Sequence, residues 1–304
     1  VQHQIGRTRS LEVAYAGSRG HDLISARDLN QPPASPNPFN LRPNPAFADI
    51  PFVESRAGSR YNALQVRYQE RPAHGMSLLM AYTLGKSTDD ASGFFTSAGD
   101  PNFPQNSLDP AAERGRSSFD VRHRFSAAIL RPLPVGTGQA FLGDRGWLSR
   151  ALANMEVEAV VTLQSGRPFT VALRPDIDNS NTGRSNLGFG YNDRPDVTGK
   201  TGVDAPGADR WFNTAAFSMP PFGRFGNSGR NTLDGPGYRN VNLALVKRIF
   251  FGQEGDVALR LEAFNVLNRV NYDLPDAFFG SPAFGRILSA QSPRRIQLGL
   301  RAGF

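Results

Sequence analysis

The chain ends RRIQLGLRAGF (294–304), and from Arg295 onward apolar and polar residues alternate without a break. A strand turns successive side chains to opposite faces, so Ile296, Leu298, Leu300, Ala302 and Phe304 share one face. Arg295, Gln297, Gly299, Arg301 and Gly303 share the other. The same rhythm recurs upstream and predicts strands near 9–17, 59–71, 75–86, 118–131, 153–166, 239–251, 255–266 and 294–304, with 1–5 as the end of a truncated ninth.

One face is apolar throughout. It carries Leu64, Val66 and Tyr68; Met76, Leu78, Met80, Tyr82 and Leu84; Phe119, Val121, Phe125, Ala127 and Ile129. It continues with Met155, Val157, Ala159, Val161 and Leu163, then Val241, Leu243 and Leu245, then Val257, Leu259 and Leu261. The opposite face holds Gln65, Arg67, Gln69, Asp120, Arg122, Arg124, Glu156, Glu158, Arg260 and Glu262.

Composition removes several classes of protein. The 31 Gly and 23 Pro punctuate the 304 residues, and no stretch of ten holds a helical period, which disfavours bundles and βαβ folds. With no Cys there is no disulfide framework, thiol nucleophile or thiolate metal site. No apolar run of about 18 residues predicts a transmembrane helix. The N-terminus VQHQIGRT lacks the basic and apolar regions of a signal peptide and reads as the end of a strand. The net charge of +7 is spread along the chain beside acidic residues, with lysine only at Lys86, Lys200 and Lys247, so no nucleic acid partner is expected.

Alternation by itself fits a soluble sandwich and a membrane barrel equally, because one is the other turned inside out. Length and connection order separate them. Soluble strands average about 5–6 residues and membrane-crossing strands need about 9–11, the range most of these strands reach. Tight turns are expected at 6–8, 72–75 and 252–255, and long loops at 18–58, 87–117, 167–238 and 267–293, with a medium connection at 132–152. Short turns on one side and long loops on the other mark an outer-membrane barrel with the short side periplasmic. Glu70 and Lys247, the charges in the apolar register, fall near that side, and Tyr68, Phe250, Phe251 and Phe304 form its expected aromatic girdle. The fold class expected is all-β, an antiparallel transmembrane β-barrel with long extracellular loops.

Several segments resemble the C-terminal barrel of TonB-dependent outer-membrane receptors: LEVAYAGSRGHDL (11–23), SRYNALQVRYQERPAHGMSLLMAYTLGKSTDD (59–90), FDVRHRFSAAILRPLP (119–134), LQSGRPFTV (163–171) and RPDVTGK (194–200). WFNTAAF (211–217), GRNTLDGPGYRNVNLALVKRIFF (229–251), LEAFNVLNRVNY (261–272) and the ending extend the likeness, which is nearest to the Oar-like subgroup, where a carboxypeptidase-regulatory-like domain and a plug precede the barrel. The resemblance implies that residues 1–304 supply about nine strands of a barrel of about 22, with plug and earlier strands elsewhere. It also implies energy-coupled uptake of a small ligand (a siderophore, oligosaccharide or peptide) and coupling to TonB-ExbB-ExbD through the plug. Outer-membrane lipid surrounds such a barrel, and the barrel-assembly machinery reads the last strand, here through Ile296, Leu298, Leu300 and Phe304. Two other readings stand beside this one: an Oar-like surface or adhesion protein without import, and a secreted soluble all-β carbohydrate-active protein.

Candidate chemistry is sparse. Glu156 and Glu158 share a face, but as near neighbours on one strand they read as lumenal carboxylates paired with Arg122, Arg124 or other arginines rather than a glycosidase pair. DIDNSNTG (176–183) is a poor calcium loop, lacking Gly at its sixth position and with Leu187 where the twelfth-position Glu would stand. His3, His21, His74 and His123 have no ligand spacing, and SGRNTLDGPG (228–237) opens a strand and not a helix, so it is no phosphate cradle. No enzyme, cofactor or metal site is expected. Ligand contact is expected in the 167–238 loop, where Tyr191, Arg194, Trp211, Phe212, Phe222 and Phe225 supply stacking faces and a guanidinium; self-packing of the loop would use the same aromatics.

Overall fold

The computed structural model describes residues 1–37, 42–73, 75–93, 103–143, 146–183, 193–251 and 255–303. Its strands are β1 (Gln2–Ile5), β2 (Arg9–Asp28), β3 (Pro51–Ala73), β4 (Met76–Asp89), β5 (Gly115–Arg116), β6 (His123–Pro132), β7 (Met155–Gln164), β8 (Pro168–Phe169) and β9 (Ala172–Leu173). There follow β10 (Asp196–Val197), β11 (Phe217–Ser218), β12 (Leu233–Asp234), β13 (Tyr238–Phe251), β14 (Gly255–Phe264), β15 (Phe278–Phe279) and β16 (Arg295–Gly303). One ten-stranded sheet runs β1-β2-β3-β4-β6-β7-β13-β14-β16, with β5 appended to β4. Its strand pairs are all antiparallel. The sheet is open, with β1 and β16 at its edges.

The ladder register aligns the apolar residues of successive strands. One row runs Leu11, Tyr68, Met80, Ala127, Val161 and Val241. Another runs Leu78, Ile129, Ala159, Leu243, Ala263 and Ile296. A one-residue slip anywhere would turn a whole strand's apolar set to the other face, so this coherence is a strong constraint. Among the described residues no second sheet covers the rows: Leu78 and Val157 are half-buried, and Leu298 is 83% exposed. The large buried apolar side chains lie elsewhere, chiefly Phe169, Val171, Leu173, Phe212, Phe217 and Leu233 in the 167–238 segment.

Four expectations need correction. The 18–58 connection is strand at both its ends, because β2 runs to Asp28 and β3 starts at Pro51; the ladder continues after the apolar alternation ends, through register shifts between Gly20 and Ile24. The strand expected from 118 begins at His123 instead. Phe119 lies in an exposed turn, and Asp120 is buried, accepting a hydrogen bond from the Ser87 N–H at 2.7 Å. The 132–152 connection carries a short helix, α1 (Gly146–Leu152). Phe250 and Phe251 cannot both face lipid: Phe251 lies in the apolar register, while Phe250 follows Arg248 on the polar face opposite Asp256. Phe304 and the 252–254 turn lie outside the described residues.

Glu70 and Lys247, in the apolar register near the short-turn side, find partners within the chain. The Glu70 carboxylate accepts from Arg9 Nε at 3.2 Å and the Tyr68 hydroxyl at 3.0 Å. Lys247 Nζ donates to the carbonyls of Arg150, at 3.1 Å, and Ala153, so an ammonium group occupies the negative end of α1.

Candidate ligand-binding loops

The 167–238 loop is built as a small unit of its own. Short ladders tie it together: β8 with β12, β10 with β11, and β9 in parallel with β15 of the 267–293 loop. Between them Phe212 meets Phe169 and Phe217 at 5.7 Å and Phe284 at 5.1 Å between ring centroids, the last two edge-on, as ring quadrupoles favour. Trp211 packs against this cluster, and its indole N–H donates to the Asp234 carbonyl at 2.8 Å.

Buried charges join this unit to the 87–117 loop. Arg230 pairs with Asp89 and donates to the carbonyls of Asp89 at 3.0 Å and Glu113 at 2.9 Å, and to Ser92 Oγ at 2.8 Å. Arg194 pairs with Glu113, and Arg116 forms a more exposed pair with Asp234 at 2.6 Å. The Asn231 side chain donates to the Arg116 carbonyl at 2.8 Å and accepts from Thr170 at 3.1 Å. A guanidinium removed from water persists only with a carboxylate and carbonyls around it, so these contacts hold the two loops as one body.

The six expected ligand contacts therefore separate. Phe212 and Arg194 are buried structural groups, and Trp211 belongs to the rim of the loop core. Phe225 is half-buried, Phe222 is 54% exposed, and Tyr191 lies outside the described residues. Alternation gave no sign of Asp89, Glu113 or Arg230, since each acts on a partner distant in sequence; the only local signal was the glycine-rich SGRNTLDGPG, whose Arg230 and Asn231 fasten the loops. In the 176–183 turn, the Asp178 carboxylate accepts the backbone N–H groups of Thr182 at 2.9 Å and Gly183 at 2.6 Å, a turn-making use of the group.

The polar face of the sheet has its own pairing. Glu158 is clamped by Arg260 at 2.6 and 3.1 Å, and Arg260 also reaches Glu262 at 2.8 Å, so the arginine that pairs with it is neither Arg122 nor Arg124 but another on the same face. On β13, between β7 and β14, the residues beneath are Ala244 and Val246, small enough for the guanidinium to span, whereas Arg124 stands opposite Gln164, far along β7 from Glu158. Beyond the apolar rows, in the β2–β3 hairpin, Glu54 contacts Arg56 at 2.7 Å and Arg27 at 2.9 Å. Partial burial opposes ionisation of Glu54, but the hydrogen bonds and charges of Arg56 and Arg27 outweigh it and hold the carboxyl below its ordinary pKa.

A single antiparallel sheet with an apolar face, short turns at one end and loops packed together at the other has the features of proteins of the outer-membrane β-barrel class. Residues 1–297 match the outer membrane beta barrel domain family, and the chain belongs to that family and to the outer membrane. Among solved structures, the whole chain superposes on 31% of the outer membrane transporter YddB from Escherichia coli, with a TM-score of 0.54 and 9% identity, a likeness of fold. The chain thus spans about a third of that protein's length. No curated protein matches the sequence.

Proposed function

We propose that this chain forms part of the barrel of a TonB-dependent receptor that binds a small ligand at its extracellular loops and imports it with energy from TonB-ExbB-ExbD. The observation that carries the reading is the cross-linked loop body: buried Arg230–Asp89 and Arg194–Glu113 pairs fix two long loops to one another. A rigid platform of that kind lowers the ordering cost of capturing a ligand. The resemblance of the segments above and the fold shared with a transporter support the same reading. Phe222 and Phe225, with Tyr191, are the residues proposed to touch ligand; Phe212 and Arg194 shape the platform.

The test is solute depletion by cells with and without the full-length protein, supplied with mixed siderophores, oligosaccharides and peptides, with and without a protonophore. Import predicts removal of one ligand class that needs both the protein and the proton gradient. Removal insensitive to the protonophore, or none with adhesion altered instead, contradicts it and favours the surface role.

A further inference from the structure

The apolar register does not end in neutral residues at the loop side of the sheet. Above Tyr15, Leu64 and Leu84 the same face continues as Gly17 and Arg19 on β2, Asn62 and Arg60 on β3, and Lys86 and Thr88 on β4. Arg19 and Arg60 stand directly opposite each other across the β2–β3 ladder, an arrangement that repels unless an anion lies between. Arg114 joins them from the 87–117 loop, its guanidinium 3.5 Å from where a Cβ on Gly58 would stand. All four cations are exposed, and among the described residues none has an ion-pair partner. The nearby Asp90 is occupied, its carboxylate accepting the Gly58 N–H at 2.7 Å.

Arg19, Arg60 and Arg114 border an open pocket of about 550 Å³ together with Tyr15, Ser18, Tyr61 and Asn62, and Lys86 stands beside it, opposite Asn62 on the β3–β4 ladder. Its floor exists because Gly17 has no side chain: a Cβ there would come within 2.9 Å of the Tyr15 hydroxyl, which is hydrogen-bonded to Asn62 at 2.7 Å. By register Tyr15, Arg19, Arg60 and Asn62 lie on the apolar face of the sheet, just past its last apolar residues.

We propose that Arg19, Arg60, Lys86 and Arg114 form a binding site for the phosphorylated headgroup of an outer-leaflet glycolipid, with its acyl chains lying along the apolar rows of Tyr15, Leu64 and Leu84. Guanidinium forks match phosphate oxygens, and basic pockets beside a membrane-spanning surface select anionic lipids. The lipid is the occupant argued for, because the cations continue the lipid-facing register and do not turn toward the polar face.

Native mass spectrometry of the full-length protein in detergent tests this, with bis-phosphorylated lipid A and its dephosphorylated form as probes. The expected result is at least tenfold more adduct with the phosphorylated lipid, abolished in an Arg19→Gln/Arg60→Gln/Lys86→Gln variant that keeps heat-modifiable gel mobility. Equal retention of the two lipids overturns the proposal, as does unchanged retention in the variant. Displacement of the lipid by millimolar inorganic phosphate also overturns it, marking a site for free anions. If the variant fails to fold, the comparison of the two lipids on the unaltered protein still decides.

Discussion

Leu298 in the sheet and Phe169 in the loop unit are both large and apolar, yet one is 83% exposed and the other 1%. The two regions bury hydrophobic surface in different partners. In the loop unit the partner is the chain itself, and the energy of Phe169, Val171, Phe212 and Leu233 comes from leaving water. In the sheet the partner is lipid, so the apolar side chains set depth and orientation while the ladder hydrogen bonds supply cohesion. Polar groups divide in the same way: Arg194 and Arg230 of the loops are buried and paired, whereas Arg260 on the sheet's polar face remains partly open beside Glu158.

The sharpest break in this comparison is a lost partner in the loop body. Asp89→Ala leaves Arg230 buried without its carboxylate, a loss of about 3–5 kcal/mol. Phe212→Ala empties a site among three other rings at a cost of about 3–5 kcal/mol. Both variants are expected to open the extracellular loops to limited proteolysis while heat-modifiable mobility of the barrel persists; loss of both together would mean that loops and wall are one cooperative unit.

A charge on the lipid face comes next. Leu261→Arg, at mid-strand on β14, is expected to cost about 2–4 kcal/mol, whereas Ala258→Arg, on the polar face of the same strand, should change little. Denaturant titration of the folded barrel in micelles or bilayers reads the difference, and equal costs would remove the distinction between the faces. Lys247→Met is a smaller change, about 0.3–1 kcal/mol, because it deprives only the last carbonyls of α1 of a cation. Hydrogen exchange confined to residues 146–153 is its expected signature.

The smallest effect is a pH dependence in the β2–β3 hairpin. Glu54 has a lowered pKa in the folded state, so its contribution is complete above the ordinary carboxylate value and is lost as pH falls through the lowered one. Hydrogen exchange near 51–56 is expected to rise on acidification below about pH 4, and Glu54→Gln should remove that dependence.

The wall was legible in the sequence because a sheet with one face in lipid writes its pattern at every second residue. Strands such as β14 and β16 carry that pattern from end to end, and their positions followed from it. The outer halves of β2 and β3 did not, since a ladder beyond the hydrocarbon needs hydrogen bonds but no alternation. Nor did the loop body. Arg194 reads locally as a guanidinium free for ligand, and only the fold brings it to Glu113, 81 residues away. Phe212 and Phe222 are likewise indistinguishable as letters, but one closes the loop core and the other stands open.

The central claim is that the apolar rows face lipid. The absence of cysteine allows single nitroxide labels to be introduced along β13 and β14 of the full-length protein in bilayers. Labels at Leu243, Leu245, Leu259 and Leu261 are predicted to collide preferentially with oxygen, and labels at Ala244, Ala258 and Glu262 with a water-soluble nickel chelate. Reversed accessibility, or apolar-row labels shielded from both reagents, would contradict the account.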